Sequence, residues 1–228
     1  MDARRIAALI QPFLVTAAPQ SAPRDPSTPA ALTDPKLEHI SAYLDLLFRW
    51  NERINLTAVR DREEIVTRHF GESLFAARHL FPSPADLGSP SRLIDVGSGA
   101  GFPGLPIKIW SSEVQLTLIE SNQKKATFLR EVIRRLGLKD AMVFAGRAED
   151  FPGQAEVVTL RAVEHFENAL TVATRLVSPN GRIALLIGAA QAGRAQELQP
   201  DIEWQHATTI PLSSKRMLMI GRKNSLAA

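Results

Sequence analysis

The chain has 228 residues, 45% of them hydrophobic and 22% charged, with a mean hydropathy of −0.06, which is enough apolar length to bury the core of one large domain. It contains no cysteine, which excludes a disulfide framework, a thiolate metal site and catalysis by a thiol nucleophile. The net charge is +3 and it is spread out: residues 1–91 carry 10 basic and 11 acidic side chains, 92–187 carry 12 and 10, and 188–228 carry 5 and 3. No segment is a basic tail, so any footprint for a polyanion must be assembled by folding.

In chain order, Arg4 and Arg5 precede the apolar run Ile6 to Ile10, which loosely mimics a secretory leader, but Gln11 and Pro12 interrupt it and an N-terminal helix is expected instead. No apolar run reaches the ~20 residues of a membrane span. Thr16 to Pro35 holds five of the 15 prolines and reads as an exposed linker. Leu37, Ile40, Leu44, Leu47 and Phe48 then repeat at helical spacing up to Trp50. A second helix is expected from about Arg62 to Leu80, with Ile65, Val66, Phe70, Leu74 and Phe75 inward. Thr57 or Asp61, in the intervening loop, is placed to cap it. Pro82, Pro84, Gly88 and Pro90 close this region.

Beyond Arg92 strand and helix signals alternate, as in a parallel sheet covered on both faces. Strands are expected at Leu93 to Val96, Val114 to Ile119, Met142 to Ala145, Val157 to Leu160 and Ile183 to Ile187. The helices between them are expected at Pro103 to Trp110, Gln123 to Leu136 and His165 to Val177, the last ended by Ser178-Pro179-Asn180-Gly181. Two more strands, Ala207 to Leu212 and Arg216 to Ile220, form a terminal antiparallel hairpin. This is an α/β, Rossmann-like sheet of the class I methyltransferase order, seven-stranded and mostly parallel, preceded by N-terminal helices. Residues 1–35 read as a helix and proline-rich linker, 36–91 as a helical extension, and 92–228 as the cofactor-binding domain.

The sharpest local signal is R-L-I-D-V-G-S-G-A-G-F-P-G-L-P, from Arg92 to Pro106. Gly97, Gly99 and Gly101 let a ligand lie against backbone and the start of the next helix. The same run also contains the G-x-G-x-x-G of dinucleotide folds, so the glycines alone do not decide. Asp95 suits the ammonium of a bound amino acid, such as the methionine part of S-adenosylmethionine, and would repel a pyrophosphate. Glu120, ending the next strand, can accept from both hydroxyls of a ribose. The following helix carries Lys124, Lys125, Arg130, Arg134, Arg135 and Lys139, which read as a solvated outer face, an RNA-facing ridge being the alternative. Gly146 to Asp150 is either an adenine-contacting loop or a surface turn.

After the fourth strand the chain reads T-L-R-A-V, with Arg161 where methyltransferases of exocyclic amines place an Asn/Asp-Pro-Pro-aromatic motif. With that motif and every thiol missing, the fitting acceptor is a ring nitrogen such as N7 of guanine, which has a free lone pair and loses no proton. The five histidines show no metal-ligand spacing, so no metal is expected.

Four stretches together resemble the bacterial 16S ribosomal RNA guanine-N7 methyltransferases of the small subunit, the glucose-inhibited division protein B family. They are W-N-E-R-I-N-L-T-A-V-R-D with R-H-F from Trp50, D-V-G-S-G-A-G-F-P-G-L-P, G-R-A-E-D at Gly146, and T-L-R-A-V at Thr159. The resemblance implies cofactor contacts at Gly97, Phe102, Ala148, Glu149 and Arg161, with Asp95, Gly99, Gly101 and Glu120 from the shared fold. It implies catalytic roles for Arg161, Arg147, Asn55 and His69, and RNA contacts from Arg60, Arg68, Arg147 and Arg216. The implied protein is a cytoplasmic, monomeric enzyme that takes S-adenosylmethionine as cofactor and 16S ribosomal RNA or the small subunit as partner, with no membrane. A small-molecule methyltransferase, which would not need the arginine-bearing segment from Asn55 to His69, and a non-catalytic ribosome-assembly factor are the alternatives; a nicotinamide oxidoreductase is disfavoured by Asp95.

Overall fold

A computed structural model describes residues 1–15, 32–82 and 91–224. Helix α1, Ala3–Leu14, is capped by Asp2, whose carboxylate accepts from the Arg5 amide at 2.8 Å, and it buries Ile6, Ile10, Phe13 and Leu14. Pro12 sits in its last turns without ending it. Most of the proline-rich stretch lies outside the described residues. Its last proline, Pro35, belongs to the first turn of α2, Asp34–Asn51, where a fixed φ and a missing N–H carry no penalty. The segment 83–90, with Pro84, Gly88 and Pro90, is also outside them.

The expected second helix is one continuous rod with an irregular middle: α3, Arg62–Ile65, a π-helical turn, Val66–Gly71, and α4, Glu72–Leu80. Asp61 is the cap, accepting from the Glu64 amide at 2.8 Å. Gly71 ends the π turn where a Cβ would come within 2.5 Å of the Phe13 ring, so the close approach of α1 requires glycine there.

Five parallel strands, β1 Arg92–Val96, β2 Gln115–Ile119, β3 Ala141–Phe144, β4 Ala155–Arg161 and β5 Val177–Gly188, lie in the order β3-β2-β1-β4-β5. Beyond β5 come β6, Ile202–Trp204, β7, Thr208–Thr209, and β8, Arg216–Lys223, which runs antiparallel to β5. The hairpin partner of β8 is divided: β7 pairs with Leu218 and Met217, while β6 pairs with Arg222, Lys223 and Gly221. The expected strand Ala207 to Leu212 is thus shortened to β7, and β6 is an additional strand too short to give an alternating signal, so the sheet has eight strands where seven were expected. The sequence Ser178 to Gly181 interrupts β5 rather than ending a helix, at the register shift opposite Ala155 and Val157. Helices α5, Gly104–Trp110, α6, Gln123–Leu136, and α7, Phe166–Arg175, fall close to expectation, and α8, Ala189–Leu198, is additional.

Period-two alternation in the strands separates two apolar layers. Leu93, Leu118, Val157, Ala184 and Leu186 pack with α1, α2, α4, α5 and α6. Ile94, Val158, Leu160, Ile183 and Leu185 pack with α7 and α8. The N-terminal helices share the first of these cores, so the residues that face the sheet's C-terminal edge from above are fixed by packing.

Candidate active site

The order β3-β2-β1-β4 reverses direction between β1 and β4, and a ligand crevice belongs outside the C-terminal ends of those strands. A cavity of about 740 Å³ lies there. Its floor is the turn after β1, in which Gly97, Gly99 and Gly101 have φ of +66°, +55° and +90°. At Gly101 a side chain would also strike Leu105 and the Tyr43 hydroxyl.

Two acids shape this turn. Asp95 is 1% exposed and lies beneath the cavity, its carboxylate accepting from the Thr159 hydroxyl at 2.7 Å and the Gly104 amide at 3.2 Å. Register sets Asp95 beside Thr159, so the pair clamps the start of α5 to the sheet. Burial pushes the Asp95 carboxyl up to about 6, against the pull of those two donors. Glu120, at the end of β2, accepts from the Gly99 amide at 2.8 Å and the Asn122 amide at 2.7 Å, and it lines the cavity. Each oxygen keeps a second lone pair, which is what two ribose hydroxyls require. Residues and cofactor therefore fit: a side-chain-free turn for the amino-acid end and a carboxylate for the ribose.

The opposite wall is a charged cluster that joins the N-terminal helices to the sheet. Glu72, from α4, accepts from Arg161 of β4 and Arg216 of β8, both at 2.7 Å, with only 4% of its side chain exposed. The same Arg161 Nη2 donates to the Arg68 carbonyl at 2.7 Å and contacts His69 Nδ1 at 3.2 Å. Since a guanidinium can only donate, His69 accepts at Nδ1 and carries its proton on Nε2. That N–H then donates to Thr57 Oγ1, 2.8 Å away. Thr57 also accepts from the Val59 amide at 3.1 Å, which leaves its own O–H free to donate into the cavity it lines. Desolvation, then the charges of Arg161, Arg216 and Arg68, push His69 down to about 2, so the imidazole stays neutral. Burial lowers Arg161 to about 10, still protonated at neutral pH. His69 stacks on Phe102 with centroids 4.9 Å apart, and Phe102 stacks on Tyr43 at 5.4 Å.

Of the residues read from the sequence, Gly97, Gly99, Phe102, Glu120, Ala148 and Glu149 line the cavity, as do His69, Arg147, Arg161 and Arg216. Asp95 and Gly101 support it from below. Asn55 is exposed, two residues before Thr57. Arg60 is exposed and donates to the Asn51 carbonyl at 3.4 Å. Arg68 pairs with Glu64 at 2.6 Å and meets the cluster through its carbonyl. Glu72 and Thr57 went unread: Glu72 looked like any acid on a helix, and Thr57 like a cap. The signal that connects Glu72 is its position three residues beyond His69, on one helix face.

A glycine turn and a strand-end acid at the switch point of this sheet put the protein among the class I methyltransferases, enzymes that use S-adenosylmethionine. Among the described residues no group of His, Asp and Glu is placed to hold a metal, and no helix is long and apolar enough to cross a membrane. The chain belongs to the family described as rRNA small subunit methyltransferase G, which matches residues 36–219. It is 41% identical over 187 residues to the ribosomal RNA small subunit methyltransferase G of Xylella fastidiosa strain 9a5c, covering 80% of this chain and 84% of that protein. The protein of the same name from Stenotrophomonas maltophilia strain K279a is 40% identical over 81% of each chain. In fold it is similar to magnesium protoporphyrin IX methyltransferase from Synechocystis PCC 6803 with bound SAM, with a TM-score of 0.59, 11% identity and coverage of 84% of this chain and 98% of that one. It is also similar to TYW2 of P. horikoshii in complex with MeSAdo, at a TM-score of 0.56, 16% identity and coverage of 69% and 63%.

Proposed function

We propose that this enzyme methylates N7 of one guanosine in the 16S ribosomal RNA of the small subunit, acting in the cytoplasm as a monomer. The observation that carries the choice of atom is His69: both ring nitrogens are engaged and its proton affinity is pushed far down, so the cluster offers no general base. Guanine N7 needs none, because it attacks through a lone pair and has no proton to lose. S-adenosylmethionine, when bound, would supply an electrophilic methyl carbon on a sulfonium, with a neutral thioether as its leaving group.

The chain's own residues bind and align. Gly97, Gly99, Phe102, Ala148 and Glu149 hold the cofactor, with Glu120 on its ribose, and Asp95 and Gly101 fix the turn. Guanine presents two acceptors, O6 and N7, on the edge where adenine presents a donor and an acceptor. The free hydroxyl proton of Thr57 and the guanidinium of Arg161 suit O6, and so favour guanine over adenine. Arg60, Arg68, Arg147 and Arg216 meet phosphates, Asn55 contacts the RNA from the loop that carries Thr57, which Asn51 holds by accepting from the Leu56 and Thr57 amides, and residues 36–91 serve as the extension that brings this wall to the sheet.

The test is transfer of a labelled methyl group from S-adenosylmethionine to undermethylated small-subunit RNA, free and in the subunit. Label on guanine N7 is expected. No transfer, equal transfer to adenine N6, strong activity without RNA, or RNA binding without cofactor affinity would each sink the proposal.

A further inference from the structure

The outward face of α6 has no part in the site, yet its composition is hard to explain by stability alone. Its inward side, Ala126, Phe128, Leu129, Val132 and Leu136, is buried. Lys124, Arg130, Arg134 and Arg135 are exposed, and none forms an ion pair among the described residues. Some arginines elsewhere on the surface are paired, as in Arg5–Glu63, Arg62–Asp45, Arg92–Glu156 and Arg194–Glu167. Others, such as Arg4, Arg175 and Arg222, form no ion pair among the described residues but stand singly on different elements, whereas α6 gathers four such cations on one helix. Glu131 is the helix's one acid, and it is half-buried and accepts from Trp50 Nε1 at 2.9 Å.

Helix electrostatics account for only part of this pattern. Arg134 and Arg135, in the last turn, complement the macrodipole. Lys124 and Lys125, in the first turn, oppose it, and Arg130 with Arg134 is a like-charge pair one turn apart. The cap of α6, Asn122, and the half-buried Lys125 line the active-site cavity, so the helix starts at its mouth and its outward cations run away from there. From Lys124 to Arg135 the row extends about 16 Å along the helix axis, a few nucleotides of a single strand.

We propose that α6 is the track for the RNA strand leaving the active site, its exposed cations meeting phosphates outside the cavity. This rests on the RNA reading given above and adds the path that the RNA takes. It replaces the solvated outer face expected from the sequence, because what decides is that α6 starts at the cavity mouth, which a one-dimensional pattern does not contain. The partner is single-stranded RNA flanking the target, held by charge and not by base sequence.

The test compares wild type with the triple variant Lys124→Gln, Arg130→Gln, Arg134→Gln, which spares Lys125. A control, Arg4→Gln, Arg175→Gln, Arg222→Gln, removes the same charge from exposed sites off α6. Binding of small-subunit RNA is measured over a salt series, alongside KM and kcat for methylation and calorimetric titration with S-adenosylmethionine. The α6 variant is expected to weaken RNA binding and raise KM on the order of tenfold, and to lower the slope of log Kd against log salt by about 2. Its kcat at saturating RNA and its cofactor affinity stay at wild-type values. An unchanged slope, or equal weakening in the control, overturns the track. RNA bound by wild type without methyl transfer overturns the catalytic reading and leaves the track measurable by binding, whereas wild type that binds no RNA overturns both.

Discussion

Glu72 organises the charge at the site, because a single buried carboxylate oxygen holds two arginines from different strands and orients the one that fixes the tautomer of His69. Such a group contributes through the charges it leaves paired rather than through its own exposure. Thr57 is the outward end of the same chain of donors. Replacing it by valine keeps the shape and removes the free O–H, so Thr57→Val is expected to lower kcat/KM for RNA by about 1–3 kcal/mol, with cofactor affinity unchanged. Single-turnover rates with guanosine-containing RNA check it, and an unaltered rate removes the assignment. Glu120→Ala deletes the carboxylate proposed to hold the ribose and also the clamp on Gly99 and Asn122. Cofactor binding is expected to weaken by about 1.5–3 kcal/mol, as read by calorimetric titration. Wild-type affinity in that variant would show that the ribose lies elsewhere.

At the scale of elements, the rod formed by α3, the π turn and α4 presents the Arg68 carbonyl, His69 and Glu72 to one arginine within five residues. Its register depends on α1, through Phe13 packed on Gly71. Gly71→Ala is expected to cost about 1–3 kcal/mol by overpacking, and Phe13→Ala about 3–5 kcal/mol by leaving a cavity. The double variant should lose less than the sum, since the added methyl no longer meets the ring. Denaturant unfolding of the four proteins decides this, and an equal cost of Gly71→Ala with and without Phe13 would show that the contact does not set the register. Apart from α8, the helices and parallel strands were legible from periodicity and from the glycine turn. The π turn and the divided β6/β7 edge were not, because each is set by what packs against it.

For the molecule as a whole, two buried titrating groups act on stability in opposite directions. His69 sits at about 2 in the fold against 6.5 unfolded, so its contribution is complete above pH 6.5 and is lost as pH falls, by about 1.4 kcal/mol per unit. Asp95 sits at about 6 against 3.8, so its contribution is complete below pH 3.8 and is lost as pH rises through 6. Between pH 4 and 6 the two slopes oppose each other. The stability of wild type relative to His69→Gln is therefore expected to fall as pH drops from 7 to 4.5. Urea unfolding at three pH values in that range measures it, and a difference independent of pH would mean that His69 is not held neutral.

What the sequence determined by itself is what local chemistry and periodicity can express. The alternation of strands and helices, the glycine turn that only residues without a side chain can make, the strand-end acid, and the missing cysteines and prolines that narrowed the acceptor all lie within short windows of the chain. Only the tertiary structure decided the rest. It put Asp95 under the cavity, made Asp61 the cap and thereby left Thr57 for His69, and joined Glu72 to Arg161 and Arg216 across 89 and 144 residues of chain. It also set the start of α6, with Lys125, at the cavity mouth. The reason is physical: a hydrogen bond between distant residues leaves no period in either segment, so its partners become visible only when packing brings them within 3 Å of each other.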